Sequence, residues 1–292
     1  MAAFCRRWTH VTRGVRQSDP TAAGPRRRRP WDSFIVDDGH GQRLSAIRMD
    51  WGSAGAAAIC RGADYAVIAD ILSFTTTLSV AIDGGADVFP YRWRDSSAAE
   101  FAARHDAVLA RGRSEATRSG GGISLSPASV RAAAGLTRLV LPSPNGSALA
   151  SQLSDGGAAV VGACFRNRTA VAQWLARPDE HQHPPVIAVI AAGEKWADGS
   201  LRPAAEDLWG AGAVICALTA LGRTGLSPEA RTAAAAFAAV QPHLEAELLN
   251  CSSGRELADL GFSQDVAIAA ELDVSTAVPV LADGRFTGAR RR

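Results

Sequence analysis

Lysine is almost absent from this 292-residue chain: Lys195 stands alone, and arginine supplies the rest of the basic charge. A skew of that kind follows coding bias more than chemistry. Apolar runs of about 18 residues free of charge are also missing, which excludes a helical membrane span. Cysteine is sparse and odd in number, at Cys5, Cys60, Cys164, Cys216 and Cys251, with none spaced C-x-x-C. That pattern excludes a disulfide framework and a zinc ribbon and fits a reducing, cytoplasmic setting. No G-x-S-x-G elbow, G-x-x-x-x-G-K-[ST] loop or strand-borne G-x-G-x-x-G occurs, so serine-hydrolase, P-loop and dinucleotide readings have no support.

What is present is an ordinary globular composition, 47% hydrophobic and 21% charged. The net charge of +2 hides an uneven layout. Residues 1–30 carry +7 and residues 282–292 carry +3, so the body between them is acidic at −8. The first thirty residues lack an apolar h-region, so they read as a disordered basic extension and not as a secretory signal. Residues 286–292 read as a disordered basic tail. A single α/β domain is expected at 31–285, or two α/β lobes within it. The acidic body argues against nucleic acid as a partner.

Apolar runs alternate with helical patterns along the body. Tyr65–Leu72 is a continuous β-rich run, as expected of a strand covered on both faces. A helix at 75–83 ends at Gly84-Gly85. Further strands are expected at 87–91, 137–141, 158–165, 186–192 and 278–281. Helices are expected at 96–110, 147–153, 168–176 and 204–221, with 228–260 all-helical. In SSGRELADLGF a serine N-cap, Glu256 near N3 and Gly261 past the end mark one helix. This alternation predicts a layered α/β/α fold on a largely parallel or mixed sheet. The Ala-rich stretch at 204–240 is a candidate surface for a homodimer.

In open α/β sheets ligands gather outside the carboxyl ends of strands, and four segments place polar groups there. In the first, Asp70 interrupts an apolar strand, where a carboxylate is costly unless paired or bound to metal. Thr75, Thr76 and Thr77 follow at a helix start, where amides and hydroxyls hold anions; the alternative is an Asp that caps a turn. The second, Pro142–Ser147, includes Asn145 and Gly146, first a turn signal. The third contains Arg166 and Asn167 and, with Arg168, suits a phosphate fork or a plain charged surface. The fourth runs from Ala192 to Trp196 and on to Glu206 and Asp207, adjacent acids at a helix start. Arg111 and Arg113 flank a glycine just before a Gly/Ser-rich loop. His181 and His183 form a weak metal pair.

Taken in order, these segments resemble the 2-phosphosulfolactate phosphatase family. Its D-V-L-R-A-T-T-T element resembles DILSFTTT (70–77), and its Gly-Glu-Arg element ARGR (110–113). Its loop ending N-S-P resembles SLSPAS (124–129), T-T-N-G-T resembles SPNGS (143–147), and G-S-F-x-N resembles GACFRN (162–167). C-A-G with a following E-D pair resembles AAGE (191–194) and EDLWGAG (206–212). The tail motif S-G-R-x-L-x-x-L-G-F-x-x-D is matched by SGRELADLGFSQD (253–265), and V-V-P-V by AVPV (277–280). The likeness spans roughly residues 60–281. Two departures stand out: Ser73 occupies the place of the family's motif arginine, and the Gly-Glu-Arg glutamate is missing. The resemblance implies a magnesium-dependent phosphatase acting on a small sulfonated phosphoester in coenzyme M synthesis. Asp70, Glu206 and Asp207 would then hold Mg²⁺. Thr75–Thr77, Arg111, Arg113, Asn145, Gly146, Arg166 and Asn167 would bind the ester. Whether Asp70 attacks phosphorus or a water does so is left open. The reading from another class is a non-catalytic binding protein for a phosphorylated or carboxylated metabolite.

Overall fold

A computed structural model describes residues 38–289, except 94, 119 and 178–183. The expected basic extension and the His181/His183 pair therefore lie outside the described residues. Among the described residues, eleven strands form two sheets. The large sheet contains β1 (Ile47–Trp51), β2 (Tyr65–Ala69), β3 (Asp87–Tyr91), β4 (Val108–Leu109), β5 (Arg138–Pro142), β6 (Ala159–Ala163) and β7 (Ile187–Ala191), with β10 (Pro279–Ala282) and β11 (Arg285–Gly288). The small one is a hairpin of β8 (Glu194–Lys195) and β9 (Leu201–Arg202).

The large sheet runs β1-β7-β2-β6-β10-β11-β3-β5-β4. Its two ends, β1-β7-β2-β6 and β3-β5-β4, are each wholly parallel. The antiparallel hairpin β10–β11 joins them through one residue pair on each side, Val280 with Val161 and Phe286 with Val88. The expected mixed α/β architecture is thus present, with helices on both faces. Strand periodicity shows why. Along β2, Val67 and Ala69 enter one apolar layer while Ala66 and Ile68 enter the other. Along β7, Ile187, Val189 and Ala191 alternate with Ala188 and Ile190 in the same way. A strand that feeds two cores must be apolar at every position, which is the continuous run seen in the sequence.

The end of the chain differs from expectation. The expected tail at 286–292 begins inside β11, and Phe286 is fully buried. Asp283 and Gly284 both have positive φ, 50° and 75°. This is the twist that a two-residue hairpin needs, and Asp-Gly is its sequence signal. Two further expectations shift. The stretch 96–110 is helical only over Ser96–Arg104 before β4. The helix Ser252–Asp259 is capped by Cys251, whose Sγ accepts from Gly254 N–H at 3.3 Å, and not by a serine.

The Ala-rich stretch packs within the chain. Helices Ala205–Ala220 and Pro228–Val240 lie against each other, with Ala211, Ala213, Ala230 and Ala233 in the core. The second helix starts from Ser227, which caps Ala230 N–H at 3.0 Å ahead of Pro228. Contact is closest at Gly212, where a Cβ would lie 2.0 Å from Ala233 O. Backbone cannot retreat as a flexible side chain can. Gly212→Ala is expected to cost about 1–3 kcal/mol, read as a lower denaturation midpoint with an unchanged slope.

Candidate active site

Asp70 follows the last residue of β2 and is 5% exposed. The turn after it is tied by Thr75: its amide and its Oγ1 both donate to Asp70 O at 2.8 Å, and Oγ1 accepts from Asp70 N–H at 3.1 Å. The carboxylate meets the starts of two helices. Oδ1 accepts from Phe74 N–H at 3.3 Å, opening helix Phe74–Asp83. Oδ2 accepts from Gly146 N–H at 2.7 Å, opening helix Gly146–Leu153, and from Ser143 Oγ at 3.4 Å. Both helix dipoles favour the anion here. Gly146 has to lack a side chain, because a Cβ would lie 2.6 Å from Asp70 Oδ2 and 2.4 Å from the Phe74 ring.

Asp207, in the first turn of helix Ala205–Ala220, is buried beside Asp70. Its Oδ1 accepts from Ile71 N–H and its Oδ2 from Gly193 N–H, both at 2.8 Å, which pins the chain leaving β2 to the chain leaving β7. Glu206 is also buried, and with Asp70 and Asp207 it lines a cleft of about 390 Å³. The other charged walls are Glu194, Glu256, Arg113, Lys195 and Arg202. Five carboxylates thus face three cations. Burial, and then the charge of Glu194, push the Asp70 carboxyl up to about 7 from its ordinary 3.8. Burial followed by Asp70 and Glu206 raises Asp207 strongly. Glu194 is raised mainly by burial, and Asn145 Nδ2, donating to its Oε2 at 2.9 Å, works against this.

Arg113 is held in place from far along the chain. Its Nε donates to Asp265 Oδ2 at 2.7 Å and its Nη2 to Leu72 O at 2.9 Å. Asp265 is buried and also accepts from Ser126 Oγ and from Ala128 N–H. The guanidinium is thereby fixed at the cleft wall before any ligand arrives.

Of the expected site residues, the structure gathers Asp70, Glu206, Asp207, Arg113 and Asn145 into one cleft, with the Gly146 amide on Asp70. It places the others elsewhere. Thr75, Thr76 and Thr77 are all within 1% of full burial. The amides of Thr75 and Thr77 donate to Asp70 O and Ser73 O, and Thr77 Oγ1 to Leu125 O. Thr76 Oγ1 has no hydrogen-bond partner. The helix start thus holds the chain's own groups and leaves the threonines behind the cleft. Arg166 is buried against Asp83, Ser79 and Glu271. Asp83 ends the helix that Asp70 begins, about 15 Å away for ten residues. Asn167 is fully buried and fastens Cys164 N–H, Gly162 O and Ala277 O. Arg111 is exposed outside the cleft, and its backbone bridges to 123–125.

Ser143, a possible ligand contact in the second segment, and Glu194 and Lys195, in the fourth, also line the cleft, as do Arg202, Ser253 and Glu256, which the sequence does not mark as site residues. The signal for Glu194 was its place just beyond an apolar strand, the same signal that marks Asp70. Arg202 and Glu256 carry no local signal, because β9 has two residues and the helix Ser252–Asp259 presents several charges.

The donors in the cleft are hard oxygens, which suit Mg²⁺ in kind, and an excess of buried carboxylates is what a divalent cation relieves. In arrangement they are open: among the described residues no group of three or more His, Cys, Asp or Glu side chains is set to enclose a metal ion. Magnesium commonly takes only one or two carboxylates and completes its shell with water and substrate phosphate. The cleft fits that mode and not an all-protein cage. No helix among the described residues is long and apolar enough to cross a membrane.

Comparison with known proteins gives the same assignment twice. A family model for 2-phosphosulpholactate phosphatase matches residues 58–284. A protein from Deinococcus radiodurans named "Probable 2-phosphosulfolactate phosphatase" is 32% identical over 225 residues, covering 76% of this chain and 89% of that protein.

Proposed function

The chain belongs to the 2-phosphosulpholactate phosphatase family, and on that premise we propose that it hydrolyses 2-phosphosulfolactate, or a close phosphomonoester, to the alcohol and phosphate with Mg²⁺. The observation that carries this reading is the Asp70 carboxyl, buried at a strand end between two helix starts and held near neutrality. A carboxylate so placed can take a proton from an attacking water or meet phosphorus itself. Its orientation is set by the Phe74 and Gly146 amides, so it needs no reorganisation when the ester binds.

Arg113, Lys195 and Arg202 are the cations that would neutralise phosphoryl oxygens and a second anionic group. Asn145 keeps Glu194 turned into the wall. Asp70, Glu206 and Asp207 would hold the magnesium, with water and phosphate filling its remaining positions. Bound there, it would polarise the phosphoryl group and lower the pKa of a coordinated water. The family likeness is also what supports a place in coenzyme M synthesis and in the cytoplasm.

The test is phosphate release from 2-phosphosulfolactate with Mg²⁺ and with EDTA. Release that stops with EDTA is expected. Release indifferent to chelation would remove the metal, and none from any small phosphoester would remove the activity. Thermal stabilisation by such esters without release would mark a binding protein instead. Arg113→Lys keeps a charge for Asp265 but loses the planar fork. One charge-assisted contact is worth about 1.5–3 kcal/mol, so KM is expected to rise about 10–100-fold with a smaller change in kcat.

A further inference from the structure

The cleft at Asp70 has a side chamber. The two share Pro144, Asn145, Glu194 and Lys195 as a common wall. Beyond it the chamber is bounded by Trp51, Ala148, Leu149, Ala192 and Leu201, and its volume is about 230 Å³. Glu194 and Lys195, both shared, are its only charged residues among the described ones, so the chamber selects by apolar surface. Whole-ligand pockets commonly enclose about 300–1,000 Å³. The chamber is too small for that range and suits one arm of a ligand whose charged arm lies in the adjoining 390 Å³ cleft.

The rim adds an independent observation. Leu201, 41% exposed, lines the chamber from β9. Trp93, 47% exposed, borders a shallow opening that continues from the chamber past Ser53 and Ala148. Large exposed apolar groups on two adjoining openings differ from single ones scattered over a protein. The seat of Leu201 is also built. Cβ positions at Gly52 and Gly193, both with positive φ, lie 3.1 and 2.7 Å from Leu201 Cδ1. A side chain at either would push Leu201 off its place in the wall.

We infer that the chamber is a subsite for an apolar alkyl or aryl group, so that the cleft also takes phosphoesters bearing such a group, which 2-phosphosulfolactate itself lacks. This rests on the phosphatase reading for the identity of the charged arm. The test measures calorimetric affinity for ethyl-, butyl- and hexylphosphonate in the presence of Mg²⁺, and separately the turnover of the matching alkyl phosphates. Affinity is expected to rise about fourfold per added methylene until the chamber is full. The rise is expected to vanish in Ala148→Phe, which fills the chamber, and to shrink in Leu201→Ser, a milder change at an exposed position. Each gradient is a ratio within one variant, so a general loss of affinity cancels. Affinity that is undetectable or equal across the series, or a gradient unchanged in both variants, overturns the subsite. A gradient without turnover keeps the subsite and removes the activity; turnover without a gradient does the reverse.

Discussion

Asp70→Asn is expected to lower phosphate release by about 10²–10⁴-fold, the usual span for losing a positioned acid–base or nucleophilic group. Asparagine keeps the size of the side chain but can accept on one oxygen only. Either the Phe74 or the Gly146 amide would then face an NH₂ group instead of a carboxylate oxygen. The mutation therefore removes the reactive group and part of the frame that aims it. The fold should survive, because the turn itself is held by Thr75 through the Asp70 backbone. Near-wild-type release from a folded Asp70→Asn protein would exclude Asp70 from the chemistry. Trapping with beryllofluoride separates the two routes, since an adduct on Asp70 would sink direct attack by water.

The second large effect is on stability. Metal-stripped protein is expected to become less stable as pH rises from about 4 to about 7. The folded Asp70 carboxyl titrates at about 7 and the unfolded one near 3.8. Below both values each state holds the proton and nothing changes. Between them the unfolded chain has released its proton while the folded one keeps it, so alkali favours unfolding. Above about 7 the penalty is complete. At about 1.4 kcal/mol per pH unit the gap amounts to roughly 4 kcal/mol. Asp207 and Glu194 are raised for the same reason, burial first, and act in the same direction. Denaturant unfolding in EDTA across pH 4–8 checks this, and the slope should be shallower in Asp70→Asn. Equal slopes in the two proteins would refute it. A cation that binds the ionised cluster must displace those protons, so stabilisation by Mg²⁺ should be larger at pH 8 than at pH 5.

The place of some residues in the candidate cleft is legible in the sequence. That of Asp70 is, because a carboxylate closing an apolar strand has few tolerable places other than a mouth. That of Glu206 and Asp207 is, because acids in a first helical turn lie near the strand end that feeds the helix. The position of the threonines behind the cleft is not legible, because an N-terminal helical turn looks the same in sequence whether its amides await a ligand or already serve the chain's own groups. The same holds for Arg166. It sits after a strand, as a ligand-binding arginine would, but Asp83, Ser79 and Glu271 draw it to the far end of the Phe74–Asp83 helix.

The amino-acid order by itself determined the strand and helix succession, the two-faced burial of β2 and β7, and the position of Asp70 at a strand end. All of these follow from short-range periodicity and from the cost of burying a charge. Tertiary structure decided which charges meet. Arg113 and Asp265 are 152 residues apart, and Asn145 and Glu194 are 49 apart. Only the folding of two parallel sub-sheets about the β10–β11 hairpin brings such pairs into contact. The near-neutral Asp70 belongs to the same level, because desolvation and the field of Glu194 exist only once the cleft has closed around it.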